Sequence, residues 1–127
     1  MIFTVKSPIL GFEQIQEVEL NTIDEFFVQF ISKSDSTTFT LINPFLLREY
    51  DFEVPEYFRE LLDIKENSNI LVLNAMIVST KIEQSTINFL APFIFNCDNQ
   101  SMSQIVLDAN KYPKFGLVES ISNYLNQ

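Results

Sequence analysis

The chain has 127 residues, with 17 acidic against 8 basic side chains, a net charge of −9, and 46% hydrophobic residues that include thirteen phenylalanines. That size and apolar content suit one domain with a packed core, and no run approaches the roughly 18 to 20 uninterrupted apolar residues of a membrane span. The absence of histidine removes the imidazole base of Ser-His-Asp and Cys-His sites and the usual zinc ligand sets, and the lack of clustered Lys or Arg disfavours direct nucleic-acid binding.

The first strand is expected over residues 2–5. The N-terminus carries only Lys6, placed after its apolar residues, with no small-residue cleavage pattern, so a cytoplasmic location is expected. Residues 8–11 read as a turn in which Gly11 is free to take a positive φ. β-branched and aromatic runs bounded by short polar clusters predict strands over 15–20, 26–31, 38–42 and 50–54. Residues 55–64 (PEYFRELLDI) read as a short amphipathic helix. Pro55 stands at its first turn, Glu56 lies near its positive end, and Tyr57, Phe58, Leu61 and Leu62 fall at helical spacing, with Arg59 set to pair with Asp63.

The run 70–80 (ILVLNAMIVST) is apolar on both faces through much of its length, which places it at the centre of a sheet and makes Asn74 a buried polar group in need of a partner. Residues 85–96 (STINFLAPFIFN) predict strands over 86–89 and 93–96, with Pro92 confining that position to an edge, a bend or a bulge. Ser85, Thr86 and Asn88 are expected to order this bend through side-chain to backbone hydrogen bonds. A strand over 103–107 follows CDNQSM, whose Asp98 and Asn99 suit the turn of an antiparallel hairpin. Cys97 has no partner for an internal disulfide and reads as an ordinary small residue. Leu117, Ile121, Tyr124 and Leu125 recur at helical spacing after Gly116 and predict a second helix over 117–125, which either docks on the barrel, the favoured reading, or presents an apolar stripe to a partner. The fold class expected is mainly β: a compact single domain spanning 1–127, β-barrel-like, of short strands with one or two short helices.

The charge is uneven. Residues 1–66 hold thirteen acids against five bases and residues 67–127 four against three, so the halves carry −8 and −1. An acidic half keeps a protein soluble and also suits a basic partner. In YDFEV, a strand would set Tyr50, Phe52 and Val54 on one face and Glu49, Asp51 and Glu53 on the other, about 7 Å apart at successive same-face positions. Such a row can be a solvated face, a contact for a basic partner, a hard-cation site or an acid/base pair of glycosidase type. There is no glycine-centred calcium loop and no tryptophan sugar platform, which favours the first two readings. A Ser85–Lys81 nucleophile is chemically possible, but local hydrogen bonding explains Ser85 better. Phosphate-cradling glycine loops do not occur.

Five segments stand in a telling order: PILGFE at 8–13, LINP at 41–44, YDFEVP at 50–55, Ser85-Thr86 with Asn88, Ala91 and Pro92, and QIVL at 104–107. In this order, over nearly the whole chain, the sequence resembles the FliW family of flagellar assembly factors. The resemblance implies no enzymatic activity and no cofactor. It implies two cytoplasmic protein partners: flagellin, and, when flagellin has been exported, the RNA-binding translational repressor CsrA, whose capture frees flagellin mRNA for translation. An acidic face at Glu49, Asp51 and Glu53, held beside the repressor's RNA-binding surface, is expected to repel RNA phosphates. For flagellin an apolar strand-edge or groove contact is expected near the Pro92 bend, with Asn88, Phe89, Leu90 and Phe93 as candidates. The alternative is a small apolar-ligand-binding β-barrel without catalysis, its phenylalanine-rich interior open instead of packed.

Overall fold

The computed structural model describes residues 1–124 and is mainly β. Its strands are β1 (Ile2–Val5), β2 (Glu17–Thr22), β3 (Phe27–Ser32), β4 (Thr38–Ile42), β5 (Ile70–Ile77), β6 (Thr86–Ile87), β7 (Phe93–Asn96), β8 (Ser101–Gln104) and β9 (Glu119–Ser120). Seven of them run in the order β4-β3-β2-β1-β8-β7-β5, and a β4–β5 pairing closes the ring into a barrel; β6 and β9 extend from β5. Every pairing is antiparallel except β1–β8.

The two-residue period of a strand gives this barrel two cores. Paired Leu73 and Phe93 belong to the first, with Phe3, Phe30, Leu41 and Phe95. Ring contacts fill that interior, among them Phe3–Phe95 at 5.0 Å and Phe30–Phe93 at 5.6 Å between centroids. Their neighbours Val72 and Ile94 face the second core with Ile42, Met76, Ile87 and Ile105. Tyr50, Leu62, Phe115 and Ile121, from the long connections, join that second cluster and cover it. As expected, β5 is central, pairing with β4, β6 and β7.

The ladder to β5 jumps from Met76↔Ile87 to Leu73↔Phe93, so five residues, 88–92, stand against two, 74 and 75. Pro92 sits in this wide bulge, where its missing amide costs no ladder bond. The β7–β8 hairpin forms as expected, and Gly11 takes φ 83.

Several expectations are corrected. Residues 50–54 are irregular, because side chains and not a neighbouring strand hold them. The helix is α1 (Glu56–Leu61), which stops short of Asp63, a residue at φ 53; Asp63 lies 3.7 Å from Lys65. The strand expected over 103–107 is β8 at Ser101–Gln104. Beyond it Ile105 and Leu107 donate their amides to Pro92 and Leu90 at 2.9 and 2.7 Å. The tail is no α-helix over residues 117–124: β9 pairs with β6, and Ser120 Oγ caps a 3₁₀ turn at Ile121–Asn123 by accepting from Ser122 N at 3.3 Å. Leu125, in the same expectation, lies outside the described residues. Among the described residues no helix is long and apolar enough to cross a membrane.

Candidate functional site

The acidic segment keeps its alternation without a ladder. Glu49, Asp51 and Glu53 are exposed, Tyr50 is buried, and Phe52 and Val54 are half-buried against the second core. An apolar strip laid on a packed surface needs the same period as a strand, so the burial pattern was readable while the pairing was not. No three carboxylate or thiol side chains among the described residues are grouped as a metal site requires.

Hydrogen bonds pin this strip at three points, one made by the adjacent Arg48 and two that reach distant parts of the chain. Arg48 Nε donates to the Glu49 carbonyl at 3.2 Å, and the Glu53 amide donates to the Tyr112 hydroxyl at 2.9 Å. Between them the Tyr50 hydroxyl accepts from Asn74 Nδ2 at 3.0 Å and donates to the Phe89 carbonyl at 2.5 Å. Burial pushes the Tyr50 phenol well above the ordinary tyrosine range, so it stays a donor. Lys111 reaches Glu53 at 3.6 Å in an exposed pair that contributes little.

Further hydrogen bonds satisfy the bulge. Asn88 N donates to Ala75 O, Phe89 N to Gly116 O, and Leu90 N to Asn88 Oδ1 at 3.0 Å, while Asn74 Nδ2 reaches Asn88 O at 2.9 Å. Of the residues expected to order the bend, Asn88 does so, whereas Ser85 Oγ accepts from Ser79 N at 2.9 Å and ties the connection after β5 instead. Asn74 thus finds its partners on the bulge and the strip, although its Oδ1 is buried with no hydrogen-bond partner among the described residues.

Arg48 is the residue that the sequence reading missed. Its guanidinium lies 5.0 Å from the ring centroids of both Phe89 and Phe115 and 5.7 Å from that of Tyr124. Nη1 donates to Tyr124 at 2.9 Å and to Lys114 O at 3.4 Å, and pairs with Glu119 at 3.3 Å, with both side chains of the pair only 17% exposed. Glu119 also accepts from Gly116 N at 2.6 Å and from the Tyr124 hydroxyl. Burial, and then that carboxylate, push the Tyr124 phenol up. The available signal was a lone cation inside an apolar run, PFLLREY; its partner, 71 residues away, gave none.

The structure sets the acidic strip beside the Pro92 bend through Tyr50, which lies between Glu49 and Asp51 and touches Phe89 with ring centroids 5.5 Å apart. It does not bring the apolar set to the surface. Phe89, Leu90 and Phe93 are buried, Phe93 inside the barrel against Phe30, and Asn88 is half-buried. As folded, these side chains offer a partner no apolar surface. Cys97 is half-buried, and burial and then Asp98 push its thiol up, away from nucleophilic character. Beside the strip, Phe45 to Asp51 line an open depression of ≈ 500 Å³, with Phe45 and Leu46 exposed.

Comparison with known proteins places these features in a family context. The model of a family described as FliW protein matches residues 1–115. The chain is 56% identical over 127 residues to "Flagellar assembly factor FliW 2" of Wolinella succinogenes, covering 99% of this chain and 93% of that one. It is 49% identical over 128 residues to "Flagellar assembly factor FliW" of Sulfurimonas denitrificans, with both chains fully covered. Among solved structures, "Crystal structure of the flagellar assembly factor FliW" superposes with a TM-score of 0.86 at 20% identity, over 94% of this chain and 84% of that one.

Proposed function

The chain belongs to the FliW family, and on that premise we propose that it is a cytoplasmic, non-catalytic partner-switching protein of flagellar assembly. It binds flagellin; when flagellin has been exported, it binds the repressor CsrA instead and so frees flagellin mRNA for translation.

The observation that supports this reading is the pinned acidic strip. Glu49, Asp51 and Glu53 are exposed side by side on a backbone held at Glu49, Tyr50 and Glu53, next to exposed Phe45 and Leu46. A surface mixing fixed carboxylates with apolar side chains suits a basic protein that binds RNA. The strip need not occupy the RNA site. Carboxylates held within about a Debye length of bound phosphates, roughly 8 Å at physiological ionic strength, raise the free energy of the RNA complex by repulsion. Domain 1–127 acts as one unit in this reading.

The interior argues against the ligand-binding alternative, because aromatic contacts fill the barrel that a ligand would need open. The experiment is size-exclusion chromatography of the purified protein with flagellin monomer, with CsrA, and with both. Two binary complexes, the second lost on adding flagellin, are the expected result. A stable three-protein complex, or no complex with either partner, contradicts the proposal.

A further inference from the structure

Exposed apolar side chains gather at one margin of the second core, around Phe27. Thr40 pairs with Met76, a member of that core, and Phe27, half-buried, packs against the same core. Ile23, Phe27, Thr40, Val78 and Ile82 there line a depression of ≈ 200 Å³. Ile23, Val78 and Ile82 are 59%, 54% and 44% exposed, an apolar cluster that water contacts unless something covers it.

The border of this depression is acidic. Asp24 and Glu25 lie in the turn between Ile23 and Phe27, and Glu83 follows Ile82, against one base, Lys81; all four are exposed. The turn is fixed in place, since Asp24 Oδ1 accepts from the amides of Phe26 and Phe27 at 2.8 and 2.9 Å. A second copy of this chain is a poor occupant, because each copy carries −9 and its own acidic border would meet the other's. Charge complementarity favours an occupant with cations beside its apolar residues.

We propose that this depression docks an amphipathic segment of a partner protein, apolar where it meets Ile23, Phe27, Val78 and Ile82, and rich in Lys or Arg beside that face. The site is separate from the acidic strip, and the proposal does not depend on which protein supplies the segment.

The test uses the full chain and two synthetic amphipathic peptides with the same Leu/Ile face, one with lysines and one with glutamates on the polar face. NMR titration should move the signals of Ile23, Val78 and Ile82 with the lysine peptide, whose affinity should exceed that of the glutamate peptide by about tenfold or more. Val78→Asp and Ile82→Asp, each made at an exposed position and checked for unchanged melting temperature, should weaken binding by about tenfold. Glu66→Gln, an exposed acid ahead of the opposite end of β5, should leave it unchanged. Equal binding of both peptides, shifts confined elsewhere, or indifference to both aspartate variants overturns the proposal. So does a dimer in sedimentation that Val78→Asp dissolves, which would make a second copy the occupant. Neither flagellin nor repressor is present, so failure here leaves the partner-switch reading standing.

Discussion

The Asn74 carboxamide donates to the Tyr50 hydroxyl across 3.0 Å, joining the central strand of the barrel to the irregular acidic strip. Tyr50 passes the connection on to the Phe89 carbonyl, and Asn74 makes a second bond to the Asn88 carbonyl. Two buried side chains thereby satisfy two carbonyls of the bulge and fix the height of the strip that carries Glu49, Asp51 and Glu53.

Tyr50→Phe tests this link. The ring still fits, but the Phe89 carbonyl and one Asn74 hydrogen lose their partner in a buried place, which should cost about 1–3 kcal/mol. Urea unfolding checks the value. A variant as stable as the parent would show that the hydroxyl is dispensable.

Arg48 should tolerate no replacement well. Arg48→Ala leaves Glu119 17% exposed without its cation and removes the contacts to Phe89, Phe115 and Tyr124, a loss on the order of 3 kcal/mol. Arg48→Lys keeps the charge but not the planar fork, and should recover less than half of that. Denaturant midpoints of the two variants give the ratio directly; a lysine variant equal to the parent would mean that charge alone matters.

The β3–β4 turn should carry an acid-dependent stability. The Thr37 amide and then the Gln14 side chain hold the Asp35 carboxyl down at about 2, below its ordinary value of 3.8. A depressed folded value stabilises above the ordinary value and is lost as pH falls through the folded one, so this contribution is complete above pH ~4 and gone below pH ~2. In Asp35→Asn the stability curve should be flatter across that window. An NMR titration that put the Asp35 midpoint near 4 would contradict this.

Neutralising the strip separates electrostatics from contact. In the triple variant Glu49→Gln, Asp51→Asn, Glu53→Gln, repressor binding is expected to persist while RNA release weakens. Raising salt in the parent protein should weaken release in the same direction. Unchanged release at every salt concentration would remove the strip as the repelling element.

The strands were legible where β-branched and aromatic residues run between clear turn signals. β1, β4 and β7 begin and end at the expected residues, because their flanks (Lys6-Ser7-Pro8, Asn43-Pro44, the Cys97 to Gln100 turn) leave no room for slippage. The alternation of Tyr50, Phe52 and Val54 correctly showed which side chains face inward but not what the backbone pairs with, since a strip on a packed surface and a strand share one period. Phe89, Leu90 and Phe93 read equally as core or as surface, and only the closed barrel and the tail packed over Phe89 decide for the core. In the tail, Ile121 and Tyr124 do lie one turn apart, but on a 3₁₀ turn fixed by Ser120 and the β9 ladder. The Arg48–Glu119 pair was invisible because nothing local marks two residues so far apart as neighbours.

The partner switch is tested most directly by following RNA release from purified CsrA bound to flagellin leader RNA as this protein is added, with and without flagellin monomer. The expected result is release that rises with the protein and is suppressed by flagellin. Release that flagellin leaves untouched, or RNA that stays bound throughout, would contradict the central claim.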